Sequence, residues 1–353
     1  MKTEQISTPA LVVDEAVYEE NKKRMASLLE GKNIRLRPHF KSHKCSDIAR
    51  EQIDSGAVGM TCAKLSEAQE LVDAGIENIL IANQITDKEK ISRLVQLAGM
   101  CRLTVCVDDI ENVRMISKYA SLTGNTVHCL VEYDIGMERC GVTAHNEVVA
   151  LAKGIIALDC VEFEGIQAYA GHMSHEMSVE ARQKATDCKM EDLKELIAEL
   201  KKEGIEVKTL SGGSTGTALQ KIKYDFYTEL QAGSYLFMDS TYRLPDTPFE
   251  NSLFILTTVV SVRDGLAVVD AGVKSCGVDQ GMPVPVDFDV EKIVASEEHF
   301  QLHHPTKDLK IGDKVLLIPG HCCSTVNLHE KIYFFKDGKV TRRVPVTARG
   351  CFR

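Results

Sequence analysis

Eight short apolar runs alternate with stretches of helical periodicity through the first two-thirds of the chain. The runs fall at 34–39, 59–63, 79–82, 103–107, 127–133, 163–168, 207–210 and 229–237. Amphipathic segments lie between them at 65–74, 88–98, 110–122, 146–157 and 180–203, and a further helix at 16–29 precedes the first run. A strand followed by a helix and another strand makes a crossover, so successive strands run parallel. The pattern predicts an α/β fold. A count of eight predicts a closed (β/α)8 TIM-like barrel rather than an open doubly wound sheet.

After about residue 245 helical periodicity largely disappears. Runs at 254–262, 266–270, 314–318 and 331–335 are β-like, and Asp264-Gly265 and Asp337-Gly338 have turn chemistry. A C-terminal all-β domain is expected at 246–353, with 1–8 joining it as an extended segment and 9–245 forming the barrel.

The formal net charge of −9 argues against a nucleic-acid or anionic-membrane partner. No apolar run approaches the ~18 residues a membrane span needs. The N-terminus, MKTEQISTPALVVDEAVYEE, lacks a signal-peptide core. Twelve cysteines show no CxxC pair or disulfide framework and read as reduced thiols of a cytoplasmic protein.

In a barrel the chemistry sits at the C-terminal ends of the strands. Lys41 follows the first run, within Arg37-Pro38-His39-Phe40-Lys41-Ser42-His43-Lys44. An amine crowded by other cations is disposed to lose its proton and form a Schiff base with a carbonyl. The octapeptide reads equally as a basic surface turn. After the seventh run comes Ser211-Gly212-Gly213-Ser214-Thr215-Gly216, and around the eighth comes Ala232-Gly233-Ser234-Tyr235. Glycines let backbone N–H groups approach an anion, and the hydroxyls of Ser214, Thr215, Ser234 and Tyr235 can donate to it, so the two turns suit a phosphate. A carbonyl-binding lysine together with a phosphate cradle is what pyridoxal 5'-phosphate requires. Arg139 follows the fifth run and could face the cofactor, or simply pair with Asp134 or Glu138. Gln167, Tyr169 and His172 follow the sixth run and could bond or stack on the cofactor ring.

In the β region, Pro319-Gly320-His321-Cys322-Cys323-Ser324-Thr325 places an imidazole and a thiol two residues apart. An extended segment would project His321 and Cys323 to one face and Cys322 to the other. An imidazole and a thiolate suit a divalent metal, zinc before manganese or magnesium, with room for substrate. A buried cysteine pair beside an ordinary histidine is the alternative. His172 and His175 fit neither an extended nor an i, i+4 ligand pair.

RPHFKSHK (37–44), DIGMERCG (134–141), QAYAGH (167–172), SGGSTGT (211–217), DAGVKSCGVD (270–279) and PGHCCST (319–325) resemble the D-serine dehydratase and D-threonine aldolase family of fold-type III pyridoxal phosphate enzymes. The resemblance runs over nearly the whole chain. It implies an alanine-racemase-like barrel, a homodimer, Lys41 as the cofactor-bound lysine, and His321 and Cys323 as ligands of a metal beside the substrate's β-hydroxyl. Dehydratase-like members carry His-x-Cys and D-threonine-aldolase-like members tend to carry His-x-Asp, so Cys323 points to β-elimination of a D-β-hydroxy amino acid, giving a 2-oxo acid and ammonia. Gly320 stands where many relatives have asparagine. Retro-aldol cleavage of D-threonine or 3-hydroxy-D-aspartate to glycine and an aldehyde is the alternative. A racemase would need a second base that the sequence does not reveal, and a non-catalytic pyridoxal phosphate carrier would not need the β domain.

Overall fold

Pro38, which has no N–H to give to a sheet, ends the first barrel strand after two paired residues. A computed structural model describes residues 1–242 and 244–353. The barrel strands are β2 (Arg35–Leu36), β3 (Met60–Cys62), β4 (Asn78–Ile81), β5 (Arg102–Val107), β6 (Val127–Glu132), β7 (Val161–Ala168), β8 (Thr209–Gly212) and β9 (Glu229–Leu230), and β1 (Ala10–Asp14) precedes them. All neighbours in this sheet are parallel, in the order β2-β9-β8-β7-β6-β5-β4-β3. A parallel bridge between His39 and Thr61 joins the two ends of that order and closes the ring.

The helices between the strands start and stop where local chemistry dictates. Asp87 accepts the N–H groups of Glu89 and Lys90 ahead of Lys88–Ala98. That helix buries Ile91, Leu94 and Val95, the i, i+3, i+4 stripe of a helix facing a sheet. Asp109 caps Ile110–Thr123 in the same way, and Gly124 ends it at φ 69°.

The chain divides into two compact units. One comprises Leu28–Lys41, Ser46–Gly233 and Cys351–Arg353, and the other Met1–Ser27, Ser42–Cys45 and Ser234–Gly350. The second unit contains β1 together with β10 (Leu253–Arg263), β11 (Leu266–Val269), β12 (Val284–Pro285), β13 (Lys292–Ala295), β14 (Phe300–His303), β15 (Lys314–Ile318), β16 (Lys331–Lys336) and β17 (Lys339–Pro345). Its sheet is antiparallel except where β1 runs parallel to β16. Ala10 and Val12 of β1 pack with Ile6, Phe254, Leu256 and Ile318 in its core. At the N-terminus Lys2 forms an isolated bridge to Lys339, flanked by hydrogen bonds of Thr3 to Gly338 and of Val340 to Met1. The strand β1 follows this segment, at Ala10–Asp14.

The eighth expected strand, 229–237, is also shorter. Pairing stops at Leu230, and Ser234–Leu236 is a 3₁₀ turn. The whole run is buried, so its apolar character reports burial rather than extension.

Inside the barrel, Arg37 donates from Nε and from one terminal nitrogen to the two Glu229 oxygens, at 2.8 Å each, and from the other terminal nitrogen to Asn78 Oδ1 at 3.0 Å. Both partners are nearly buried. Removing one leaves the other charge without compensation. Arg37→Ala is expected to destabilise the protein by about 3–5 kcal/mol, whereas Arg37→Met combined with Glu229→Leu recovers most of the loss. Urea unfolding midpoints measure both.

At the opposite end of the strands from Lys41, His128, Glu162 and Glu164 bring three donor atoms together. Arg102 binds Glu164 at 2.6 Å and donates to His128 Nε2 at 3.2 Å. The guanidinium already supplies the cation, and the Glu164 carboxyl is pulled down to about 2, first by His128, whose Nδ1 lies 3.2 Å away, and then by Arg102. This is an ion network that ties β5, β6 and β7 at their starts.

His145, at the start of the helix His145–Ile156, contacts Asp192 and Glu199 of the helix Val179–Lys202 at 3.1 Å each. Burial acts to lower its pKa, but the two carboxylates outweigh burial and raise it above 6.5. A raised folded-state pKa gives stability that is complete below the unfolded value and is lost as pH rises through the folded value. Stability is therefore expected to decline above about pH 6.5, through the raised pKa of His145. In urea titrations across pH, His145→Gln should flatten that slope.

Candidate active site

Lys41 sits in the 3₁₀ turn Phe40–Ser42 just beyond β2, and its backbone N–H donates to His39 Nδ1 at 3.3 Å. Its side chain enters a cavity of the barrel unit shared with Gln84, Glu132, Arg139, Gln167, Tyr169 and Gln231. The amine lies 5.8 Å from the centre of the Tyr169 ring, and the Arg139 guanidinium carbon lies 5.6 Å from it. One phenol thus faces two cations.

Asp134 does not pair with Arg139. It accepts the backbone N–H groups of Gly136, Met137 and Glu138 and folds the loop. The carboxylate near Arg139 is Glu132, the last residue of β6, at 3.8 Å. Burial raises the Glu132 pKa, against the lowering pull of Gln84 at 2.6 Å and of Arg139. Beside it, Gln231 donates to Gln167 Oε1 at 2.7 Å and to Ser211 Oγ at 2.9 Å, so Gln167 is fixed within the barrel.

Beyond β8, Gly213 has φ 70° and Ser214 begins a tight turn in which its N–H meets Thr217 Oγ1 at 3.1 Å. Ser214 Oγ also lies 2.7 Å from Ser174 Oγ. Gly216 cannot be replaced without moving the turn, because a Cβ there would lie 2.2 Å from the Ser174 carbonyl oxygen. Thr215 Oγ1 is buried with no hydrogen-bond partner among the described residues. A buried hydroxyl left without a partner in a polar, glycine-lined turn at a strand end is what an anchored phosphate would satisfy. On this observation the residues present fit pyridoxal phosphate.

Four expected cofactor contacts, His172, Gly233, Ser234 and Tyr235, are not among the residues that line this cavity. His172 is exposed on the turn Gly171–His175 and does not line the cavity. Tyr235 is buried with its ring 5.6 Å from Phe249. Ser234 Oγ lies 4.0 Å from Cys323 Sγ. Gly233 ends the barrel unit's main segment. His39, Gln84, Glu132 and Gln231 line the cavity and were not singled out from sequence. Their common signal is position, since all are polar residues at or just beyond the carboxyl ends of barrel strands.

In the β unit, His321 is extended at φ −148° and ψ 117°, but Cys322–Val326 is helical rather than extended. The physical reason is Asp239, a buried carboxylate that accepts the Cys322 N–H at 2.9 Å and fixes the start of the helix. Cys322 points inward and is buried, and Cys323 is half-buried. Cys323 Sγ lies 3.5 Å from Ser42 Oγ and 3.9 Å from Cys322 Sγ. The Cys323 hydrogen bond and burial push the Cys322 thiol well above its ordinary range, which marks it as a neutral packing group. His321 bonds both Cys323 and Asp279. Burial lowers its pKa, and these two partners together raise it to about 9. An imidazole and a thiol held within hydrogen-bond reach form a donor pair that fits a borderline-soft divalent ion.

The alanine racemase N-terminal domain model matches residues 13–241, and the serine dehydratase domain model matches 252–335. The chain is 39% identical to a 3-hydroxy-D-aspartate aldolase of Paracoccus denitrificans (strain Pd 1222), over 99% of this chain and 94% of that one. It is 27% identical to a D-threo-3-hydroxyaspartate dehydratase of Delftia sp. (strain HT23), over 91% and 92%. The crystal structure of D-threonine aldolase from Filomicrobium marinum superposes with a TM-score of 0.96 at 39% identity, covering 100% of this chain and 98% of that one. A lysine-bearing parallel barrel, a β unit carrying His-x-Cys and near-complete coverage by such relatives lead to one conclusion: the chain is a lyase that belongs to the D-serine dehydratase and D-threonine aldolase family of fold-type III pyridoxal phosphate enzymes, with an alanine-racemase-like fold.

Proposed function

We propose that this chain cleaves the Cα–Cβ bond of a D-configured 3-hydroxy amino acid by a retro-aldol reaction, giving glycine and an aldehyde. The observation that carries this reading is its identity, over almost the full length, to the 3-hydroxy-D-aspartate aldolase. Lys41 would hold the cofactor's aldehyde carbon. Arg139, Gln167 and Tyr169 would surround its ring, and Gly213, Ser214 and Thr215 would hold its phosphate. His321 and Cys323 would hold a divalent ion, with zinc favoured by the thiol. When bound, pyridoxal phosphate supplies an electron sink for charge at Cα, and the ion supplies a Lewis acid at the β-hydroxyl oxygen.

The chain's own residues govern the protons. In the cleavage the β-hydroxyl proton would leave to solvent and Lys41 Nζ would deliver a proton to Cα as glycine forms; in an elimination Lys41 would instead remove the Cα proton while the β-hydroxyl departs as hydroxide. Arg139 and Glu132 would set the charge balance of the cavity beside that amine.

Cys323 supports a second reading, β-elimination to a 2-oxo acid and ammonia, because dehydratase-like members are the ones with His-x-Cys. Product analysis with 3-hydroxy-D-aspartate, D-threonine and D-serine separates the two. Glycine with glyoxylate or acetaldehyde is the expected result. Oxaloacetate or pyruvate with stoichiometric ammonia, and no glycine, would replace it with the elimination reading.

A further inference from the structure

We propose that Asp279 is the positioning residue for the metal-binding histidine, and that the loop 277–281 is clamped against the His-x-Cys segment to hold it there. This rests on the reading of His321 and Cys323 as metal ligands. His321 Nδ1 donates to Asp279 Oδ2 at 2.7 Å. A carboxylate can only accept, so it fixes the neutral imidazole as the Nδ1–H tautomer and leaves the lone pair on Nε2 for a metal. The carboxylate is itself held, because Ser324 Oγ donates to Asp279 Oδ1 at 2.5 Å.

Two glycines allow this approach. A Cβ on Gly277 would lie 2.0 Å from Ser324 Oγ, and a Cβ on Gly320 would lie 1.8 Å from the Gly281 carbonyl oxygen. The second contact is with backbone, which no side-chain rotation relieves. A side chain at position 320 must therefore lift the loop and carry Asp279 away from His321. Gly320 thus leaves room for the Gly281 carbonyl against the His-x-Cys segment.

The experiment is a zinc titration of the cofactor-loaded protein against a chromophoric chelator, comparing wild type with Asp279→Asn, Asp279→Glu and Gly320→Ala. Asp279→Asn and Gly320→Ala are each expected to weaken zinc by about 10–100-fold, while the cofactor's visible absorbance stays unchanged. Asp279→Glu should recover part of the affinity, which a merely structural role at an exposed loop would not produce. Excess zinc should restore turnover in Asp279→Asn. Asp279→Asn and Gly320→Ala binding zinc within about twofold of wild type would overturn the role of Asp279 and leave the metal site standing. Wild type that takes up no zinc would overturn the metal reading itself, and this inference with it.

Discussion

Lys41→Ala should lower kcat by ~10³-fold or more and abolish the visible absorbance of the cofactor-loaded protein. The size follows from two functions lost together. A positioned acid–base group is commonly worth ~10²–10⁴-fold, and the only covalent anchor for the cofactor's aldehyde would go with it. The surroundings are ready to tolerate the change. The Lys41 backbone N–H keeps its bond to the His39 ring nitrogen when the side chain is truncated, and Arg139 keeps Glu132 at 3.8 Å. Thermal stability should therefore stay near wild type, which separates loss of chemistry from loss of fold. Retention of more than about a tenth of wild-type kcat would be incompatible with the small factor left by removing a group of that class.

Cys323→Ala, or exhaustive chelation of the wild type, is the second large effect. A Lewis acid at the departing or ionising oxygen contributes several kcal/mol to the barrier, so kcat should fall by roughly 10²–10³-fold. Metal analysis should show about one divalent ion per chain in wild type and substantially less in the variant. Cys322→Ala is the control. Its thiol is buried and held neutral by its surroundings, so that variant should keep both its metal and its turnover. Restoration of chelated wild type by zinc, with no restoration of Cys323→Ala, would tie the effect to the ligand rather than to the fold.

Much of the barrel is legible in the sequence because its strands are buried on both faces. Runs such as 103–107 and 79–82 carry almost no polar residue, and they return as β5 and β4 within a residue at either end. The same property misleads at 229–237, where an equally buried run folds into a 3₁₀ turn. β1 escaped because its pairing is not local. Leu11 pairs with Ile255 and Ile332, and nothing in Ala10–Asp14 announces partners so far along the chain. The short helix Ser46–Asp54 escaped because its apolar positions are few.

In the site, Lys41, Arg139, Gln167 and Tyr169 were visible as chemistry-bearing residues at strand ends, and the fold brings them to one cavity. Glu132 and Gln231 were not, because a glutamate or glutamine that ends an apolar run looks like any strand terminus until the ring closes around it. The His-x-Cys pair was legible as chemistry but not as conformation. The helix that begins at Cys322 depends on Asp239, a cap that lies 83 positions earlier.

The most direct test of the account is sodium borohydride reduction of the cofactor-loaded wild-type protein, followed by peptide mass mapping. The account predicts one pyridoxyl-phosphate adduct per chain, on the peptide containing Lys41 and on that residue. An adduct on another lysine, such as the buried Lys221, or no adduct in a protein that binds the cofactor and turns over substrate, would contradict it.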